Sequence, residues 1–178
     1  GLFVTSALAC LVGLPLIYFG GWEMIIVGAV CVIFAFLYTT FFSYKGLGDI
    51  LVLVFFGIVP VCFTYYVIMP DNLQTITWQV LAVSLGCGLV IDTLLCINNF
   101  RDRHNDKRDG KITLIVRLGE QNGARLYNIV GSLGAVITMV TLMLSTKHPQ
   151  MSAVVIFPFL FYAYKHSQSY AMLKKIWK

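Results

Sequence analysis

Six apolar runs occupy most of this sequence, and they constrain its fold more than any other feature. Five of them reach the roughly 18 residues with which a helix crosses the apolar core of a bilayer, and the last is shorter. The runs are uniformly apolar, without the alternation that membrane β-barrel strands show. They extend over residues 2–19, 22–40, 47–69, 75–99, 124–145 and 151–164. The pattern predicts an all-α fold, a polytopic transmembrane helical bundle.

The composition also favours a membrane protein over a soluble domain. Hydrophobic residues make up 58% of the chain and charged residues only 12%, whereas a soluble domain carries roughly 25% charge. Glycines within the runs suit close packing of helices in a membrane. They are Gly28, Gly57, Gly86, Gly88, Gly131 and Gly134. The five cysteines also lie within the runs, at spacings unlike those of metal sites, so we interpret them as small buried residues rather than as a disulfide framework.

The basic residues indicate how the bundle is oriented. If successive helices alternate in direction, twelve of the thirteen lysines and arginines fall on one side and only Lys147 on the other. Because basic residues prefer cytoplasmic loops, the basic side is predicted to be cytoplasmic. The net charge of +5 is then a sign of topology, and it requires no nucleic acid as a partner.

The charge is concentrated in NNFRDRHNDKRDGKIT at residues 98–113, where eight of the eleven residues from Arg101 to Lys111 are charged. If the fourth helix continues through this stretch, the acids share one face and the bases the other. Every i,i+4 pair of charged residues then joins like charges, at a cost of roughly a few tenths of a kcal/mol each. Only Arg103 and Asp106 are placed for a conventional bridge. The arrangement therefore predicts a partner from outside the helix.

The residue types in this stretch suit a metal-bound phosphate. Asp102 and Asp106 stand one helical turn apart with Asn99 a turn earlier, and Mg²⁺ prefers such oxygen ligands together with phosphate oxygens. The neighbouring bases can hold phosphate groups directly. The alternative is a plain cytoplasmic loop that follows the preference for basic residues inside, which explains the bases but not the clustered acids. The residues alone leave both interpretations open.

Two blocks of the sequence resemble a known family. NNFRDRHNDKRDGKITLIVRLG resembles the second aspartate-rich motif of the UbiA-type intramembrane prenyltransferases. Its Asn-Asn-x-Arg-Asp opening and Gly-Lys-x-Thr-Leu ending are similar to the 1,4-dihydroxy-2-naphthoate polyprenyltransferases of menaquinone biosynthesis in particular. The second block, YTTFFSYKGLGDILVLVFFG at 38–57, is similar to a cytoplasmic loop and the following helix of that subfamily.

The resemblance implies a nine-helix all-α bundle in the bacterial inner (plasma) membrane, with its active-site loops on the cytoplasmic side. The six runs would be helices three to eight of that fold. Residues 1–178 are then expected to form a single transmembrane prenyltransferase domain, incomplete at the N-terminus and at the C-terminus. The first aspartate-rich motif would be missing, so the fragment alone is expected to be inactive.

The implied reaction transfers a polyprenyl group from polyprenyl diphosphate to 1,4-dihydroxy-2-naphthoate with loss of CO₂, giving demethylmenaquinone, with Mg²⁺ as cofactor. The metal ligands implied by the resemblance are Asn99, Asp102 and Asp106. The implied diphosphate contacts are Asn98, Arg101 and Lys111, and the implied catalytic residues are Asp102, Asp106 and Lys111. On an ideal helix Arg101 and Lys111 point away from the acids, but Gly110 can end the helix and turn the chain back.

In the second block, Tyr38, Tyr44, Lys45 and Asp49 are candidates for positioning the aromatic acid or closing the cavity. Arg117 is a candidate for closing the charged loop over the site. The alternatives are interfacial anchoring for the two tyrosines, a lysine that extends along the membrane surface, and an N-cap role for Asp49.

Two rival functions remain at this point. Other members of the same class act on 4-hydroxybenzoate or homogentisate, and the Asn-Asn-x-Arg-Asp form argues against them. The other rival is a polytopic cation transporter that uses Asp92, a carboxylate within the fourth apolar run. An acid at that depth is costly and usually faces a cavity or a partner. It either extends the polar face of Asn99 or bonds to a neighbouring helix.

Substitutions separate the two classes. In the enzyme, Asp102→Ala or Asp106→Ala is expected to abolish Mg²⁺-dependent binding of diphosphate, because each removes an anionic ligand of the metal. Binding of labelled polyprenyl diphosphate to the full-length protein is the measurement. A transporter would instead tolerate both changes and lose cation transport with Asp92→Ala.

Overall fold

The computed structural model describes residues 2–42, 44–146 and 149–176, which form six main helices. They are α1 (Leu2–Gly20), α2 (Glu23–Leu37), α3 (Gly48–Ile68), α4 (Trp78–Arg108), α5 (Leu114–Ser145) and α6 (Pro149–Ile176). No strand occurs in this described part of the chain. Each predicted apolar run lies on one helix, so the all-α prediction is confirmed.

The helices form a multi-pass membrane protein. α1, α3, α4 and α5 are each long and apolar enough to cross a membrane. α2 is equally apolar but has only 15 residues before the chain widens into a π-helical turn, Tyr38–Phe42. Large apolar side chains on the outer faces are exposed, such as Phe3, Val12 and Phe157. These faces suit contact with lipid or with further helices.

Local capping signals define where the long helices begin. The hydroxyl of Thr77 accepts a hydrogen bond from the Val80 N–H at 3.4 Å, and α4 starts at the next residue. Thr113 caps α5 in the same way through the Val116 N–H at 3.3 Å. Threonine is a favoured N-cap because its side chain satisfies an N–H group that the first turn leaves unpaired.

Glycines bring α3, α4 and α5 into close contact. Gly57 of α3 lies against the backbone of Gly88 in α4, and Gly86 of α4 lies against Gly134 of α5. Between membrane helices the driving force is packing rather than exclusion of water, so small residues at the contact are favourable. The predicted packing role is confirmed for these glycines and for Gly131, which meets His166 and Tyr162 of α6. It is wrong for Gly28, which has open space around it.

The end of the bundle that bears the charged stretch has its own buried cluster. Its members come from α4, α5 and α6 and are Cys96, Phe100, Ile115, Ala124, Tyr127 and Leu173. α3 also departs from regular geometry near this end, with a π-helical segment at Leu53–Ile58. Such segments are rare in proteins, and those that occur often lie at functional sites. The cluster and the segment set the direction of the polar end of α4.

Gly86→Ala is expected to destabilise the protein by about 1–3 kcal/mol, because the added methyl would meet the Thr138 hydroxyl and the Gly134 carbonyl oxygen, the latter at 2.9 Å. Gly28→Ala is the matched control, since it lies in a helix with open space around it. Thermal unfolding in detergent checks both variants. Equal stability of the two would contradict the packing assignment.

Candidate functional site

The charged stretch is the direct continuation of a membrane helix. α4 runs without interruption from Trp78 to Arg108, so Asn98, Asn99, Asp102 and Asp106 are all carried by one element. The helix ends at Arg108, with Asp109 as its C-cap, and does not continue to Lys111 as the sequence pattern assumed. The sequence had placed the three acids on one face, and the early end releases Asp109 into an exposed position beside Arg108.

Gly110 reverses the chain at the end of α4, as its sequence position predicted. It has φ +74°, a left-handed conformation that glycine adopts without strain. The Lys111 N–H donates to the Asp106 carbonyl oxygen at 2.8 Å, and the Gly110 N–H donates to that of Lys107 at 3.4 Å. This pair of bonds is the Schellman arrangement. It folds Lys111 back over the last turn, where its ammonium lies 3.4 Å from Oδ1 of Asp106.

Asp106 is only half satisfied by this contact. Its side chain is 12% exposed, and its second oxygen, Oδ2, is buried without a hydrogen-bond partner among the described residues. An unpaired oxygen of a buried carboxylate is costly because it has lost water without replacement. A cation that reached Oδ2 would remove that cost.

Asp102 has a different environment. It lies beyond the apolar run, and both of its oxygens accept hydrogen bonds from the Arg101 guanidinium at 2.8 Å. These bonds hold the pKa of the Asp102 carboxyl below its ordinary value. The side chains are 69% and 42% exposed for Arg101 and Asp102, so water screens the pair and it is easily exchanged. The helical wheel was wrong about Arg101, whose long side chain bends round to its neighbour.

The predicted bridge between Arg103 and Asp106 is not formed. The Arg103 guanidinium instead contacts Oε1 of Glu120 on α5, at 2.8 Å from Nε and 2.7 Å from Nη2, and donates to the Phe100 carbonyl oxygen. Asp106 pairs with Lys111 instead. Internal partners therefore neutralise much of the charge that the sequence suggested needs an outside partner, and the unpaired Asp106 Oδ2 is what remains.

Two connections meet over this end of the bundle. The Ile112 N–H donates to the Tyr44 carbonyl oxygen, and the Arg117 guanidinium donates to that of Lys45, both at 3.0 Å. The side chains of Tyr44 and Lys45 are themselves exposed, and the lysine ammonium lies over the Phe41 ring. The Ile112–Tyr44 bond therefore joins the two connections, and Arg117 ties the first turn of α5 to the first of them. Tyr44 and Lys45 take part through their backbone.

Four of the predicted site residues line one small cavity of about 10 Å³, the space of a single water molecule. They are Tyr38, Asp49, Asn99 and Lys111, and they stand beside Gly46, Gly48, Leu95 and Thr113. Asp49 does not cap its helix, because Leu47 holds the N-cap position and Asp49 is buried in the first turn. The structure thus brings both sequence blocks to one place.

A large apolar cavity adjoins the small one. Its volume is about 620 Å³, and Phe34, Phe55, Ile91 and Leu94 are among its walls. Asn98 is the amide at its edge. The two cavities share Tyr38 and Leu95 as lining residues. Sequence reasoning did not single out Leu95 or Thr113, because nothing in their local sequence distinguishes them from other residues.

Asp92 lies elsewhere, buried between α3 and α4. The Cys96 thiol one turn later lies 3.9 Å from Oδ2 of Asp92 and 4.0 Å from Oδ1 of Asp49. Asp92 thus lies near Asp49 of the neighbouring helix, but its hydrogen bond is with Cys96 of its own helix and its Oδ1 has no partner among the described residues. The bond to a neighbouring helix that the sequence allowed is therefore not formed there. Cys96 was missed as a partner, although its i,i+4 spacing from Asp92 was visible.

Lys111→Met is expected to lower the free energy of unfolding by about 1–3 kcal/mol, because it leaves the largely buried Asp106 carboxylate without a counterion. Arg101→Gln is the control, since it breaks an exposed ion pair and should change stability little. Thermal unfolding in detergent measures both. An equal loss in the two variants would show that Asp106 is more hydrated than this geometry implies.

Comparison with known proteins identifies the family of this chain. The UbiA prenyltransferase family matches residues 1–174. The 1,4-dihydroxy-2-naphthoate octaprenyltransferase of Escherichia coli (strain K12) is 36% identical over 156 residues, covering 83% of this chain and 49% of that protein. The enzyme of the same name from Mycobacterium tuberculosis (strain ATCC 25618 / H37Rv) is 38% identical over 145 residues, covering 80% and 48%.

The enzyme of that name from Mycobacterium leprae (strain TN) is 35% identical over 147 residues, covering 81% of this chain and 48% of that protein. The chain thus spans about half the length of these curated relatives. No solved structure gives a significant match. The match to the family extends over nearly the whole sequence and includes both blocks that meet at the small cavity, so the chain belongs to the UbiA prenyltransferase family.

Proposed function

We propose that the protein transfers a polyprenyl group from polyprenyl diphosphate to 1,4-dihydroxy-2-naphthoate, with loss of CO₂, to give demethylmenaquinone. The observation that carries this proposal is the joining of a small polar cavity to a large apolar one through Tyr38 and Leu95. A prenyl diphosphate has the same division, a charged head on an apolar chain, and the small cavity, which has the space of one water molecule, would have to widen to admit that head. The choice of acceptor rests on the names of the relatives.

The residues present fit a Mg²⁺ ion. Asn99, Asp102 and Asp106 offer the oxygen ligands that Mg²⁺ prefers. The Oδ2 of Asp106 is buried without a hydrogen-bond partner among the described residues, so a cation bound to it would stabilise this carboxylate. When bound, Mg²⁺ would neutralise the negative charge that gathers on the departing diphosphate. In the bacterial inner membrane, the basic side of the protein would place this site at the cytoplasmic surface.

Arg101 and Lys111 would exchange partners when substrate arrives. In the structure they pair with Asp102 and Asp106. Once the acids have a metal ion, both bases are free to contact phosphate oxygens, for which their charge suits them. Lys111 is the better placed of the two, because it lines the small cavity already. It would stabilise the leaving diphosphate as the bond to the prenyl carbon breaks.

The apolar cavity would hold the first part of the prenyl chain. Its walls offer no strong nucleophile except the half-buried Cys31, and an allylic cation formed there is protected from water. Phe34 and Phe55 both line this cavity, and their ring centroids are 5.0 Å apart. Aromatic rings can stabilise a nearby cation. Tyr38, common to both cavities, stands where an acceptor ring would meet the reacting carbon.

A cation transporter that uses Asp92 has less support. Asp92 lines neither the small polar cavity nor the large apolar one. Membership of the UbiA prenyltransferase family also favours transfer chemistry over transport. The remaining choice is therefore between acceptors.

The acceptor is tested with the full-length protein in membrane vesicles, supplied with a polyprenyl diphosphate, Mg²⁺ and one aromatic acid at a time. The acids are 1,4-dihydroxy-2-naphthoate, 4-hydroxybenzoate and homogentisate. Product is expected from the naphthoate alone, with a mass that shows loss of CO₂. A prenylated 4-hydroxybenzoate or homogentisate, or a product that retains the carboxyl group, would overturn the proposed substrate.

Variants in the same assay test the roles of the residues. Asp106→Asn and Lys111→Met are each expected to lower kcat by roughly 100-fold or more, as the loss of one electrostatic contact to a developing oxyanion does. Asp109→Asn is the matched control, since Asp109 is exposed at the end of the same stretch and pairs with Arg108. A similar loss in all three variants would show that the effect does not depend on this geometry.

A further inference from the structure

A second group of possible ligands lies within the bundle, apart from the charged stretch. Asp49 comes from the first turn of α3, and Asp92 and Cys96 come from successive turns of α4. Their exposed fractions are 8%, 5% and 1%. One oxygen or sulfur atom from each lies within 4.8 Å of the others. Asp92 precedes Asp102 by ten residues, about 15 Å along the helix. Cys96 is only three residues before Asn99, and Asp49 lines the small cavity beside it, so the two groups are neighbours that share no ligand.

Nothing in the described part of the chain neutralises these acids. No ion pair with Asp49 or Asp92 is formed there, and Oδ1 of Asp92 is buried without a hydrogen-bond partner. Among the described residues, the side chain that hydrogen-bonds with both carboxyl groups is the Cys96 thiol, at 3.9 and 4.0 Å. Two buried acids side by side, with an unsatisfied oxygen, favour a positive ion between them.

We propose that Asp49, Asp92 and Cys96 bind one zinc-class divalent cation. Zn²⁺ accepts both carboxylate oxygen and thiolate sulfur, whereas Mg²⁺ takes oxygen ligands. Binding forms a metal–sulfur bond and releases the thiol proton to water. The proposal is independent of the prenyltransferase reaction.

The sulfur atom is already close to its position in a zinc site, whereas the two carboxylate oxygens, which lie within 4.8 Å of each other, would have to approach to about 3.4 Å. With ordinary zinc–ligand bond lengths, a tetrahedral ion holds its sulfur and oxygen ligands about 3.6 Å apart. The sulfur of Cys96 already lies 3.9 Å from Asp92 and 4.0 Å from Asp49. Because Asp92 and Cys96 are four residues apart on one helix, they share a face, and Asp49 closes the site from the next helix. A water molecule would take the fourth position.

The bound ion would cross-link the start of α3 to the middle of α4. Asp49 also lines the small cavity, and Leu95, next to Cys96 in the chain, lines both cavities. The ion would therefore hold the wall between the polar and apolar cavities in place. The predicted signs are tight zinc binding and a higher temperature of unfolding when zinc is present.

The test uses the full-length protein, purified in detergent and freed of metal with a chelator. It is titrated with Zn²⁺ in the presence of excess Mg²⁺, and bound zinc is measured by elemental mass spectrometry. One ion per chain is expected, with affinity lowered at least about tenfold in Cys96→Ser and in Asp92→Asn. Cys87→Ser is the control for a cysteine on the same helix, and Asp102→Asn is the control for the charged stretch. Both should retain zinc.

Titration with Co²⁺ gives a second measurement that needs no variant. Thiolate ligation produces a sulfur-to-cobalt charge-transfer absorption, which is expected for the unaltered protein and for Cys87→Ser but not for Cys96→Ser. Absence of this absorption and of retained zinc in the folded, unaltered protein would overturn the proposal. Zinc that Cys96→Ser retains but Asp102→Asn loses would overturn it as well, by assigning the ion to the charged stretch.

Discussion

The close contact of α4 with α3 and α5 is the interaction on which the rest of the structure depends. Gly57, Gly86, Gly88 and Gly134 remove side chains where the backbones meet, so the three helices approach one another closely. α4 continues unbroken to Arg108, so the direction that this packing gives the helix extends to its polar end. The positions of the polar residues at its end are thus set by packing within the membrane as well as by local sequence.

Features that depend on neighbouring residues could be predicted from the sequence. The apolar runs define the helices, since backbone groups in a bilayer must pair within their own segment. The fold of Lys111 back onto α4 was also predictable, because it needs only Gly110 at the helix end. The meeting of the two sequence blocks was expected from the family resemblance, and the small cavity shows it in atomic terms.

Individual side-chain pairs between distant parts of the chain could not be predicted. Arg103 of α4 pairs with Glu120 of α5, and Asp49 contacts Cys96, which is 47 residues later in the sequence. No periodicity reports such pairs. The error over Arg101 has another cause. A helical wheel gives the direction in which a side chain leaves the helix, but a long guanidinium can bend along the surface to a neighbour.

The charged stretch is therefore a set of exchangeable ion pairs. Its like charges at i,i+4 do not pair along the helix, since their partners stand at i−1, i+5 and on α5. Arg101 and Lys111 neutralise the two acids that are proposed to hold the metal ion. The Arg101–Asp102 pair is exposed and easily exchanged, whereas Asp106 is largely buried with one oxygen unpaired among the described residues.

The π-helical segment of α3, Leu53–Ile58, has a consequence for the length of that helix. α3 touches α4 on both sides of the segment, through Asp49 near Cys96 and through Cys62 near Ser84. A π turn contains one residue more than an α turn. Deleting one residue there would rotate one half of the helix by about 100° against the other. Asp49 and Cys62 can both face α4 only with the present number of residues between them. An insertion or deletion in this segment of α3 would therefore break one of the two contacts, whereas a substitution would not.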